Sequence, residues 1–302
     1  MRHHRRRYER CAASLLLALA VSFAPAFGAS TPVAVGAQYD STHVYVTAAD
    51  MDRFAAAFVA TFGGTVTKPI TLTVTPTASS TEFRSVVTPV GSLSVFAFST
   101  PIPFPFGAER TGYLVTDMDA AVAAAEGDGG DVQVAPFPDP IGRDAIIQWP
   151  GGVNMQLYWH TTPPSAVPFV SIPENRVYVS PQRADAFVHA FVAFSHGTVE
   201  SDYLRADGVE IGKPKTLYRR VRIESPFGKM VVIVTDGHLP YPYGREIMGY
   251  AVSDLPATLI KATAAGVAVL AGPYTSDGRT AAMVAFPGGW IAEIHAPEHL
   301  SR

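Results

Sequence analysis

The sequence predicts an α+β chain made of four strand-helix-strand-strand-strand units arranged in two pairs. Three observations predict it: a phrase that occurs twice, a fixed order of helical and alternating periodicities, and Gly/Pro punctuation between them. The first copy of the phrase is Pro103-Phe104-Pro105-Phe106-Gly107, followed by Glu109 and Gly112-Tyr113. The second is Pro240-Tyr241-Pro242-Tyr243-Gly244, followed by Glu246 and Gly249-Tyr250. The offset is the same 137 positions from Pro103 to Pro240 as from Tyr113 to Tyr250. It also carries Asp117 onto Asp254 and Pro150-Gly151-Gly152 onto Pro287-Gly288-Gly289. The chain is an internal duplication.

His43 to Thr47 reads as a strand. Met51, Phe54, Phe58 and Phe62 recur at helical spacing, so Asp50 to Phe62 is a helix, ended by Gly63-Gly64. Strands follow over Thr65–Thr75, Glu82–Thr88 and Ser92–Ser99, and the Pro-aromatic loop closes the unit. The second unit has a strand from Gly112, a helix over Asp117–Glu126, and strands at Val132–Ala135, Asp144–Trp149 and Asn154–Trp159. Two more units start at Arg176 and Gly249, with helices over Ala184–Phe194 and Pro256–Ala265. Residues 40–160 are one predicted domain and 174–297 the other, each long enough for its own core; the Pro-rich stretch 161–173 is the linker.

The first 28 residues stand apart. Five arginines (Arg2, Arg5, Arg6, Arg7, Arg10) precede an apolar run from Ala12 to Phe23, then small residues up to Gly28. That order is a secretory signal peptide, so export to the periplasm or medium is expected. Cleavage removes Cys11, the only cysteine, and with it any disulfide or thiolate chemistry. Of 23 basic and 26 acidic residues, five Arg and Glu9 leave, so the mature chain is acidic. No nucleic-acid partner is expected of such a surface, and no later stretch is apolar enough to span a membrane.

The pattern resembles the vicinal oxygen chelate superfamily, which includes glyoxalase I, extradiol dioxygenases and the bleomycin-resistance proteins. His43-Val44-Tyr45-Val46 with Asp50, Val115-Thr116-Asp117-Met118-Asp119, and Phe286-Pro287-Gly288-Gly289-Trp290-Ile291-Ala292-Glu293 carry the resemblance. It implies two tandem glyoxalase-like domains, each a pair of βαβββ modules forming a curved sheet around a pocket. It also implies metal positions at His43, Arg110 and Gln156 in the first half and Arg176, Ile247 and Glu293 in the second. Chemistry at a divalent ion needs imidazole and carboxylate donors with open positions for substrate oxygens. Arginine cannot serve, having no lone pair to offer. The remaining candidate donors are His43, Gln156 and Glu293. A rebuilt site would add His160, four residues from Gln156, or His295, two residues from Glu293, each on the same strand face. The reading adopted instead pairs Glu293 with Arg176 in a closed floor and leaves His295 at an exposed strand end.

Strand alternation places His43, Tyr45, Arg110, Gln156 and Tyr158 on one side in the first half, either as an imidazole base beside an anion-clamping guanidinium or as a hydrogen-bonded polar core network. The second half places Arg176, Tyr178, Glu293 and His295 together. Phe104, Phe106, Tyr241 and Tyr243 either line pocket mouths or plug the junction between repeats. Arg220 and Arg222 share one face, read as solvated. No Gly-x-Ser-x-Gly elbow occurs. The function expected is binding of a small, aromatic or anionic molecule without chemistry; the cofactor is open between none and a divalent metal ion. The alternatives are a metal-dependent or acid/base lyase, isomerase or dioxygenase using a divalent ion, and a structural protein with self-filled pockets.

Overall fold

The computed structural model describes residues 32–298 apart from Glu109, Pro163 and Ala166; the expected signal peptide and Cys11 lie outside the described residues. The first half contains β1 (Ser41–Tyr45), α1 (Ala48–Phe62), β2 (Thr65–Val66), β3 (Ile70–Leu72), β4 (Thr81–Thr88) and β5 (Gly91–Phe98). Then come β6 (Thr111–Leu114), α2 (Met118–Gly127), β7 (Asp131–Asp139), β8 (Gly142–Trp149) and β9 (Val153–His160). The second half repeats the order: β10 (Glu174–Val179), α3 (Ala184–Ser195), β11 (Thr198–Asp207), β12 (Leu217–Ser225) and β13 (Gly228–Val234). Its last module is β14 (Ile247–Ala251), α4 (Leu255–Ala264), β15 (Ala268–Ser276), β16 (Arg279–Ala285) and β17 (Ile291–Pro297).

Local chemistry repeats with the sequence. Asp117 caps α2 by accepting from the Ala120 amide at 2.8 Å, and Asp254 caps α4 from Ala257 at 2.8 Å. The ladder irregularities between Val132, Val134 and Phe137 recur between Val269, Ala271 and Tyr274. The strand expected over Thr65–Thr75 divides into β2 and β3, separated by residues that include Pro69, which has no N–H for the ladder.

Each half forms one curved sheet. The first has the order β2-β4-β5-β1-β6-β9-β8-β7, with β3 also on β4; the second has β11-β12-β13-β10-β14-β17-β16-β15. At the centre of each, the first strands of the two modules pair antiparallel, β1 with β6 and β10 with β14.

The helices pack across the halves. One core joins Met51, Phe54 and Phe58 of α1 to Leu255, Leu259, Phe286 and Trp290 of the second half. The other joins Met118, Ala121 and Trp149 of the first half to Phe187, Phe191 and Phe194 of α3. A self-contained core for each half was the sequence expectation. The structure corrects it: each large core takes one module from each half.

Candidate functional site

Strand register fixes the centre of each sheet on the face opposite the helices. In the first half, His43 lies beside Ser94 in the parallel β1–β5 pair, and Gly112 lies beside Gln156 in β6–β9. Internal symmetry therefore makes Gly112, not Arg110, the counterpart of His43. In the second half Arg176 lies beside Val231 and Gly249 beside Glu293, so Gly249 replaces Ile247. The glycines have a steric cause. A Cβ on Gly112 would stand 2.7 Å from His43 Nε2 and 2.8 Å from the Tyr158 ring; on Gly249 it would stand 3.2 Å from Arg176 Cδ. The repeated glycine makes room for the large polar side chain of the neighbouring strand.

The two centres then diverge. The first half opens into a cavity of about 380 Å³, within the range of small-molecule sites. Its floor carries His43, Asp144 and Gln156, and its walls carry Tyr45, Phe83, Phe96, Phe106 and Tyr158. Phe96 is the hub of one wall, 5.5 Å from Tyr45 and 5.4 Å from Phe83, with the His43 ring edge-on at 5.3 Å. Gln156 Nε2 donates to Asp144 Oδ2 at 2.9 Å, which fixes the amide. Tyr158 donates its hydroxyl proton to the Tyr39 carbonyl. Linker residues Val167 and Phe169 complete the lining.

Burial depresses the His43 pKa to about 4, only partly offset by Gln156, so the ring is neutral at pH 7. An unfolded histidine titrates near 6.5. Protonation below that value thus favours the unfolded chain, and stability is lost as pH falls from about 6.5 toward 4. Asp40, whose carboxyl burial pushes up, acts in the opposite direction, so wild type must be compared with His43→Gln. The expected stability difference moves against wild type by about 2 to 3 kcal/mol between pH 7 and 4.5 in urea unfolding. Parallel pH profiles would contradict a buried neutral His43.

At the centre of the second sheet, side chains occupy the place that the cavity takes in the first half. Arg176 Nη1 lies 2.9 Å from Glu293 Oε1 and 3.6 Å from Glu174. Glu293 also receives the Tyr274 hydroxyl at 2.9 Å and lies 3.2 Å from His295 Nδ1. Arg279 pairs with Glu174 at 2.8 Å. Arg220 pairs with Glu210 and, at 2.8 Å, with Asp277, which also holds Arg222. Glu210 further accepts from Tyr218 and Ser276, each at 2.6 Å. Burial pushes the Glu293 carboxyl up, but Arg176, His295 and Tyr274 outweigh it and hold the pKa at about 2. Burial raises the Tyr178 phenol to about 12.

Several expected positions are corrected. Arg110 leaves the pocket side, its Nε donating to the Glu246 carbonyl at 3.0 Å, so no anion clamp stands beside His43. His295 is buried, 4% exposed, and not at an open strand end. Arg220 is 2% exposed; it does share a face with Arg222, but the face is the filled one. In the Pro-aromatic loops only the second ring of each packs. Phe106 lines the cavity against Phe137 at 5.8 Å, and Tyr243 packs beside Ile247, Met283 and Ile291. Phe104 and Tyr241 are 83% and 67% exposed, and Arg245 sits over the Tyr241 ring. Sequence reasoning missed Phe83, Phe96, Ser94 and Asp144. The usable signal was pairing register, which sets Ser94 beside His43 and Asp144 opposite Tyr158.

The donors present do not make up a divalent-ion site: His43 and Asp144 share the first centre with Gln156, whose amide nitrogen donates to Asp144, and Glu293 lies in the other half. There the Arg176 guanidinium already fills the role of the cation beside Glu293. Among the described residues no group of three His, Cys, Asp or Glu could hold a metal.

Solved structures of similar shape decide the fold. A triple mutant of 4-hydroxymandelate synthase from Streptomyces coelicolor matches with a TM-score of 0.60 at 13% identity, over 88% of this chain and 93% of that one. Homoprotocatechuate 2,3-dioxygenase from Arthrobacter globiformis matches with a TM-score of 0.55 at 14% identity, over 88% and 81%. The Mn(II)-bound glyoxalase from Novosphingobium aromaticivorans matches with a TM-score of 0.52 at 15% identity, over 88% and 83%. The chain has the vicinal oxygen chelate fold. As expected, it consists of two tandem glyoxalase-like halves, each a pair of βαβββ modules. No family model matches the chain, and no curated relative does. At these identities the likeness to the vicinal oxygen chelate structures extends to the fold alone.

Proposed function

We propose that the protein is an exported binding protein of the vicinal oxygen chelate fold. Its first half takes up a small, largely apolar aromatic molecule, and no metal-chelate chemistry takes place. The cavity of about 380 Å³, walled by Tyr45, Phe83, Phe96, Phe106 and Tyr158, carries this reading. Its second half acts as a filled, rigid counterpart that supports the first. The expectation of an anionic ligand is withdrawn, because among the described residues no Lys or Arg lines the cavity. Export rests on the arginine-rich, apolar and small-residue order of residues 1–28.

The test is titration of the purified mature chain with 1-naphthylmethanol, followed by calorimetry, and separately with zinc, nickel, manganese and ferrous ions. We expect saturable 1:1 binding of the naphthyl probe, weakened at least tenfold by Phe96→Ala, and no stoichiometric metal. One metal per chain, lost in His43→Ala, would overturn the reading in favour of a metal enzyme.

A further inference from the structure

The sheet side of the cavity is divided between hydroxyls and rings, and the division narrows the ligand class, granted that the cavity binds a small molecule. Register lays β4, β5 and β1 side by side, so that Ser85, Ser94 and His43 form one row across the sheet. Two residues along each strand, on the same face, Phe83, Phe96 and Tyr45 form the next row. All six line the cavity. The two rows lie about 7 Å apart, the distance between successive same-face residues of a strand. On the other side of the serine–histidine row, Ser92 of β5 and Ser41 of β1 also face the cavity. Ser41 Oγ lies 2.8 Å from Ser94 Oγ. Either hydroxyl can donate to the other; whichever does, the acceptor keeps a proton to donate and the donor keeps its lone pairs.

The fold does not demand these serines. In the second half Val231 stands beside Arg176 where Ser94 stands beside His43, and Ile233 stands where Phe96 does. Valine suits a strand better than serine, and a hydroxyl facing an apolar space is costly unless it is hydrogen-bonded. The floor adds to the demand for polar partners. His43 is buried, and its Nδ1 and the Gln156 Oε1 both lack a well-formed hydrogen bond among the described residues. Their mutual contact offsets only part of the burial of the ring. Hydroxyls both donate and accept, so a patch of them is matched by a head group that does both at closely spaced atoms. A carboxylate or phosphate only accepts, and it meets no Lys or Arg among the described lining residues. A plain hydrocarbon would strip water from the serines and replace none of its hydrogen bonds.

We propose that the first-half cavity selects an uncharged amphiphile, an aromatic ring body carrying an aliphatic polyol head. The ring packs on the Phe83–Phe96–Tyr45 row, and the head hydroxyls exchange hydrogen bonds with Ser85, Ser94 and the serines next to them.

The test uses three probes that share one ring system: 1-naphthyl glyceryl ether, 1-naphthyl propyl ether and 1-naphthyloxyacetate, each titrated at neutral pH into the mature protein and followed by naphthyl fluorescence. A featureless apolar cavity would bind the propyl ether most tightly, because it is the most apolar of the three. The expected order is instead glyceryl over propyl ether by at least about fivefold, the gain from a few net hydrogen bonds, with the oxyacetate weakest. Ser94→Ala should weaken the glyceryl ether by about three- to tenfold and leave the propyl ether unchanged or tighter. Ser85→Ala, on a different strand, is the second variant, with the same expectation. Phe96→Ala should weaken both ethers alike. A propyl ether that binds as tightly as the glyceryl ether, equal losses of both ethers in the serine variants, or tightest binding of the oxyacetate overturns the polyol proposal and leaves the aromatic pocket standing. Binding of none of the three overturns both.

Discussion

Arg176→Met is expected to destabilise the protein by about 3 to 5 kcal/mol, out of proportion to one ion pair. The side chain is deeply buried and its charge is shared by Glu293 at 2.9 Å and Glu174 at 3.6 Å. Methionine restores apolar volume but leaves Glu293 buried with only Tyr274 and His295 as partners. The cost comes from that stranded carboxylate, since an unpaired buried charge is far more expensive than the pair is favourable. Arg176→Met/Glu293→Gln should therefore lose less than Arg176→Met alone. The pH response follows from the same cause. In wild type the Glu293 pKa is held at about 2, below its unfolded value near 4.5, so its contribution is full above 4.5 and lost as pH falls toward 2. Without Arg176, burial pushes that pKa above the unfolded value, and acid then relieves the variant. Urea unfolding of both singles and the double at pH 7 and pH 5 tests this. A single-variant loss under 1 kcal/mol, or strictly additive losses, would remove the network from any account of stability.

What the sequence made legible follows from what repeats. The 137-residue offset gave four modules in order, the amphipathic face of α1 from Met51 to Phe62, and the pairing of Arg176 with Glu293. Those features depend on local period and on residue types that need each other. Arg220 shows where such reasoning stops. Alternation places it on one face with Arg222, but which face is buried depends on Glu210 in the Gly208–Ile211 turn and Asp277 in a hairpin, both remote in sequence. His295 was misplaced for the same reason, since its cover comes from Glu293 and Arg279 together. The cavity was half legible. His43 and Gln156 were identified, whereas Phe83 and Phe96 became visible only once β4 and β5 had a register against β1. Gly112 and Gly249 were noted as a repeat, but their role required knowing whose side chain fills the space above them.

Phe58→Ala should unfold both halves together, although the residue belongs to the first half alone. Its ring lies 5.1 Å from Phe286, 5.4 Å from Tyr250 and 6.1 Å from Trp290, all in the second half. Within its own half it meets Phe54 at 5.9 Å and Phe62 at 4.8 Å. Truncating such a ring removes its burial and leaves a cavity between two modules, at a cost of about 3 to 5 kcal/mol. The amphipathic pattern of α1 says that one face is covered but not by what; here the cover is α4 and the strands of the last module. The other large core pairs α2 with α3 in the same crossed manner. Neither sheet can then keep its helix-side face buried once the other has melted. One cooperative transition is expected in wild type and in Phe58→Ala, shifted to lower urea by the substitution. Hydrogen exchange should report the loss in α2 and α3 as well as in α1 and α4. Two separated transitions, with protection in α2 and α3 unchanged by the substitution, would mean that each half holds itself together and that the crossed cores are only a contact between finished domains.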